Sequence, residues 1–101
     1  MASVDYWSAS WYSASPADDL RPGHALNLIA FGGSFDEDGY ALTITALTMG
    51  PGAESRERIL GIENVRTQAD PAGGRRIFFD VMNSGTDTIA VMNINFGFIN
   101  S

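Results

Sequence analysis

The chain has no cysteine and no lysine, a single histidine and no long apolar run. Without cysteine there is no disulfide framework, no thiolate metal site and no cysteine nucleophile. Without lysine, every basic residue is an arginine (Arg21, Arg56, Arg58, Arg66, Arg75 and Arg76), the cation suited to bidentate pairing with carboxylates. His24 is the only imidazole that a general-base mechanism could use, and no Gly-x-Ser-x-Gly elbow accompanies it. Gly32-Gly33 and Gly73-Gly74 lack the strand-to-helix setting of a phosphate loop. The expectation is therefore a protein that is not an enzyme and needs no cofactor. No stretch approaches the roughly 18 apolar residues of a membrane-spanning helix. The opening Met1-Ala2-Ser3-Val4-Asp5 has neither the basic region nor the apolar block of a secretory signal. A soluble chain with no membrane insertion and no visible export signal is expected.

What is present fits one folding unit. The chain has 101 residues, of which 45% are hydrophobic and 18% charged, enough apolar mass for one core and too little chain for two domains. A single domain over residues 1–101 is expected. Twelve acidic against six basic residues give a net charge of −6, which repels phosphate backbones and argues against nucleic acid as a partner.

Short spans in which apolar residues alternate with polar or small ones, separated by turn-forming clusters, read as strands. The pattern predicts strands at about Val4–Ala14, His24–Gly32, Tyr40–Met49, Glu57–Thr67, Arg75–Met82 and Thr88–Ile99. Ser15 is placed to cap a helical turn that starts at Pro16. Gly61 is a candidate bulge because the apolar phase shifts near it. Asp70-Pro71-Ala72-Gly73-Gly74 reads as a turn, the second and third strands as one hairpin, and the fifth and sixth as another around Asn83-Ser84-Gly85-Thr86-Asp87. The predicted fold is a single antiparallel β-sandwich of six to seven strands, immunoglobulin-like or jelly-roll-like. Residues Arg76 to Ile89 resemble the strand, Asn-x-Gly turn, strand pattern of immunoglobulin-like adhesion and accessory modules, a resemblance that is confined to the final hairpin, about a quarter of the chain, and assigns no functional residue.

Pairing Val81 with Ala90 in that hairpin puts Ile77, Phe79, Val81, Ala90, Met92, Ile94 and Phe96 on one face. A one-residue slip would bury Asp80 among apolar side chains, which disfavours it. The same register gathers Phe78, Met82, Ile89 and Val91 on the reverse face, beside Asp80, Asn93 and Asn95. Four such side chains left in water would forgo roughly 1.5–3 kcal/mol each, so a cover is expected there: the first strand or a long loop of the same chain, a second subunit, or a barrel-like closure. The leading expectation is an interaction or assembly protein that self-associates, or docks on a protein partner, through this apolar face.

Tyr6-Trp7-Ser8-Ala9-Ser10-Trp11-Tyr12 concentrates both tryptophans in one predicted strand. Flat rings beside small hydroxyl residues suit a sugar-stacking surface. The alternative expectation is thus a carbohydrate-binding, lectin-like module that uses Trp7, Trp11 and Tyr12, with Asp36, Asp38 and Asn95 as polar partners. Asp36-Glu37-Asp38-Gly39 raises calcium, but its spacing lacks the alternating acids and distal glutamate of a helix-loop-helix site, so no metal is assigned.

Overall fold

The computed structural model describes residues 3–37 and 39–100, except for the side chains of Ser3 and Asn100. Six strands form: β1 (Ser3–Tyr12), β2 (Ala25–Phe31), β3 (Tyr40–Thr48), β4 (Leu60–Ala69), β5 (Arg75–Asn83) and β6 (Val91–Asn100). They make two antiparallel three-stranded sheets, ordered β1-β6-β3 and β2-β5-β4, which stack as a β-sandwich. β1 pairs with β6, β2 pairs with β5, and β3 lies against β4 across the two sheets. That order is a long antiparallel ribbon rolled up, the jelly-roll wrap. An immunoglobulin connectivity would instead set β1 beside β2 in one sheet.

Alternation decides which side chains enter the core. Ile77, Phe79 and Val81 of β5 and Met92, Ile94, Phe96 and Phe98 of β6 are buried, with Ala30 of β2. Leu26, Leu28, Leu42, Ile44, Leu60 and Ile62 pack around them from the flanking strands. The apolar set expected for one face is thus in the core, apart from Ala90, which is exposed.

The two expected hairpins do not form. β5 and β6 lie in opposite sheets, so Val81 stands opposite Leu26 and Ile62 and not Ala90. The link between them is held by other loops. The backbone N–H of Ser84 donates to the Ile59 carbonyl at 2.9 Å, that of Thr86 to the Glu57 carbonyl at 2.8 Å, and Ile89 bridges to Leu20. Asn83 organises the crossing and is fully buried. Its Nδ2 donates to the carbonyls of Leu20 (2.9 Å) and Asp87 (2.8 Å), and its Oδ1 accepts the Gly85 N–H (3.0 Å). The Asn-x-Gly signal is therefore a local Asx turn that redirects the chain, not a hairpin tip.

β2 and β3 also part company, into different sheets. A 3-10 turn at Gly33–Asp36 carries the crossing, and its Phe35 plugs the end of the sandwich, with ring centroids 5.1 Å from Phe96 and 4.9 Å from Phe98. The Tyr40 hydroxyl closes this turn by donating to the Phe35 carbonyl at 2.8 Å. The turn at Pro16–Asp18 forms as expected, but the Ser15 hydroxyl donates to the Asp18 carboxylate and does not cap the turn.

β4 and β5 do form a hairpin over Asp70–Gly74, where the Asp70 carboxylate accepts the Ala72 N–H at 2.9 Å. The bulge of β4 lies between Glu63 and Arg66, not at Gly61, which keeps regular register with Met82. Asn64 takes the left-handed conformation there (φ 53°), which a short amide side chain tolerates.

Candidate functional site

Strand β1 is an edge strand with large rings on both faces. Trp7, Ala9 and Trp11 point between the sheets, while Tyr6, Ser8, Ser10 and Tyr12 point outward, following the period of two. β3 and β4 approach each other on one side of the sandwich. On the other side a groove of about 360 Å³ lies between β1 and β2. Trp7, Ala9 and Trp11 form one wall, Leu28 and Ala30 the other, and Phe79, Ile94 and Phe96 the floor. Trp7 is half exposed, and its ring lies 5.2 Å from that of Phe96 and 5.6 Å from that of Phe35. Phe31, 71% exposed, stands at the groove's end.

The outer face of the β1-β6-β3 sheet is built from rows that the register dictates. Tyr12 and Val91 form one row; Ser10, Asn93 and Leu47 the next; then Ser8, Asn95 and Thr45; then Tyr6, Gly97 and Thr43; then Val4, Ile99 and Ala41. None of these side chains is charged, although the chain carries twelve acidic and six basic residues. Hydroxyls and amides supply the polarity, and the Asn93 Nδ2 donates to the Asn95 Oδ1 at 3.3 Å. Gly97 leaves room for Thr43, whose Oγ1 would lie 2.5 Å from any Cβ added there. Tyr6, beside it, is 83% exposed and borders a shallow depression with Ser8 and Asn95.

The sequence-predicted residues are distributed as follows. Trp7 and Trp11 face the groove, whereas Tyr12 and Asn95 face outward, so the expected sugar platform is divided between two surfaces. Asp36 is occupied in the fold: its Oδ1 accepts the Arg75 N–H at 2.9 Å and fits beneath Gly74. Asp38 lies outside the described residues. Phe78 and Met82 are half-buried on the outer face of the β2-β5-β4 sheet, where the Arg66 guanidinium sits 5.5 Å from the Phe78 ring centre. Ile89 is buried against the core, and Val91 is on the opposite outer face. The four expected interface residues are therefore not gathered on one surface: only Phe78 and Met82 share a face, because β5 and β6 belong to different sheets.

The same division separates Asp80 from Asn93 and Asn95. Asp80 receives the Asn64 amide at 3.3 Å, with Arg66 4.0 Å away, on the other side of the sandwich. His24 is exposed beside Asp18, Asp19 and Arg21. Among the described residues no three acidic or histidine side chains converge as metal ligands do. Asp87 accepts from the Arg58 Nε at 2.9 Å, and this hydrogen bond holds its carboxyl below the usual aspartate range.

Tyr6, Ser8, Ser10, Thr43 and Thr45 were not singled out from the sequence as one surface. Their signal is present in the alternation of β1 and the threonine-rich β3, but it assembles only once β6 is known to lie between them. Comparison with protein-family models, curated proteins and solved structures finds no match for this chain.

Proposed function

We propose that the protein is a non-catalytic assembly module that self-associates through its β1-β6-β3 sheet. The observation carrying this reading is the uncharged outer face. In a chain of net charge −6, two copies meet with least repulsion and least charge desolvation where neither presents an ion. The exposed Val4, Tyr6, Tyr12, Leu47 and Ile99 give that face apolar area to cover. Its hydroxyls and amides can exchange hydrogen bonds with water for bonds with a partner.

Light scattering over a range of concentrations tests the reading. The wild type is expected to run above monomer mass, and Thr45→Arg, which sets a cation in the middle of the face, to shift the equilibrium toward monomer. A wild-type protein that remains a strict monomer at high concentration overturns self-association.

One observation favours a second reading, in which a neutral glycan is bound. Tyr6 is nearly free of contacts beside the Ser8 and Asn95 depression, so the carbohydrate alternative moves to the outer side of β1 and away from the inward indoles. A panel of neutral sugars, followed by amide shifts around Tyr6 and repeated with Tyr6→Ala, tests it.

A further inference from the structure

β1 presents a free edge that is unusually well suited to pairing with a copy of itself. Residues 6–12, Tyr-Trp-Ser-Ala-Ser-Trp-Tyr, read the same in both directions about Ala9. We propose that two copies of the chain pair along their β1 edges, antiparallel about a two-fold axis at Ala9, to form one continuous six-stranded sheet. The proposal rests on the self-association reading and names a contact for it.

The hydrogen-bonding parity of the strand agrees with this axis. One residue beyond the Tyr12–Val91 pair that ends the ladder, Ser13 donates its N–H to the Ala90 carbonyl at 2.9 Å. Odd-numbered residues of β1 therefore direct their N–H and C=O groups to β6, and Tyr6, Ser8, Ser10 and Tyr12 direct theirs to the free edge. An axis at Ala9 sets Ser8 against Ser10 and Tyr6 against Tyr12 of the second copy, so the outward groups meet as hydrogen-bonded pairs. Trp7 then meets Trp11 of the second copy at a non-hydrogen-bonded position, where cross-strand side chains come closest. Trp7, half exposed in the single chain, is covered by that pair.

Nothing in the strand opposes the pairing. β1 holds no proline, lysine or bulge, the usual devices that blunt an edge. Its one charge, Asp5, falls opposite Ser13 of the second copy, so no like charges are brought together. The contact also solves a problem of size. One outer face measures roughly 30 by 15 Å from strand length and spacing, so a face-to-face pair buries only about 900 Å², at the low end for a stable interface. Joining two sheets edge to edge doubles the uncharged face.

The absence of cysteine makes a direct test available. In Ala9→Cys the two thiols face each other across the axis, and mild oxidation is expected to give a covalent dimer. In Ser10→Cys the thiols are out of register with each other, and no crosslink is expected. Ser8→Pro removes an N–H that points away from β6, so the fold, followed by circular dichroism, is expected to remain while the mass falls toward monomer. An Ala9→Cys protein that stays uncrosslinked, with Ser8→Pro keeping the wild-type mass, overturns the edge pairing and leaves the face reading intact. The converse pattern, Ser8→Pro monomeric and Thr45→Arg unchanged, overturns the face and supports the edge.

Discussion

The two sheets share one core and one alternating pattern, yet their outer faces differ in kind. On the β2-β5-β4 sheet, Glu63, Arg66 and Arg76 are exposed, Asp80 lies half-buried among them, Arg66 covers Phe78, and Arg76 pairs with Asp70 at 3.3 Å. On the β1-β6-β3 sheet the outward positions hold Ser, Thr, Asn and Tyr with apolar residues between them, and no charge. The difference shows that net charge does not describe how charge is distributed over a surface. An acidic chain can keep one face free of charged side chains while its charges gather elsewhere.

The comparison presumes that the sheets hold each other in place, so the strongest way to break it is to remove what joins them. Asn83→Ala deletes the amide that ties the Leu20 and Asp87 carbonyls to the end of β5. Buried groups left without partners cost about 3 kcal/mol in total, read as a lower midpoint in urea, with hydrogen-exchange protection lost on both sheets.

A matched pair of glycines sharpens the comparison at intermediate size. Gly97→Val forces a side chain into Thr43 at the centre of the uncharged face and is expected to cost about 1–3 kcal/mol. Gly61→Val, on the charged face, meets only the Ser84 hydroxyl at 3.9 Å and gains strand propensity, so its urea midpoint is expected to stay within about 0.5 kcal/mol of wild type or to rise. Equal losses at both positions would show that the two faces are not differently packed.

The smallest effect concerns pH. The hydrogen bond from Arg58 lowers the Asp87 pKa in the folded chain, so the pair stabilises above the ordinary aspartate range and loses that contribution as pH falls through the lowered value. The stability difference between wild type and Arg58→Met is expected to be greatest near neutral pH and to close in acid. A difference that persists unchanged in acid would assign it to packing of the Arg58 stem instead.

Much of the fold was legible in the sequence because alternation is local. Ile77, Phe79 and Val81, with Met92, Ile94 and Phe96, could be assigned to the interior without knowing their neighbours, since a period of two separates inside from outside in any sheet. Strand pairing is not local, and there the reading erred. Asn83-Ser84-Gly85 looks like a hairpin tip because its Asx turn is chemically the same whether the chain returns to its own sheet or crosses to the other. Phe35 was the available warning, since a fully solvated turn has no use for a phenyl ring. The phase shift near Gly61 was real but was placed three residues early, because glycine was preferred where Asn64 takes the left-handed turn. The candidate surface suffered most, since Phe78, Met82, Ile89 and Val91 form one patch only if β5 and β6 are neighbours.

β1 finds its ladder only in β6, with Tyr12 opposite Val91 and Ser3 opposite Asn100. During synthesis the aromatic strand leaves the ribosome long before its partner, and at roughly 5–20 residues per second it waits several seconds with both edges bare. Neighbouring ribosomes on one message hold identical strands in the same condition. Partner choice is then a race between closing the chain on itself and meeting a sibling, and message occupancy becomes a physical variable in how often each chain folds alone.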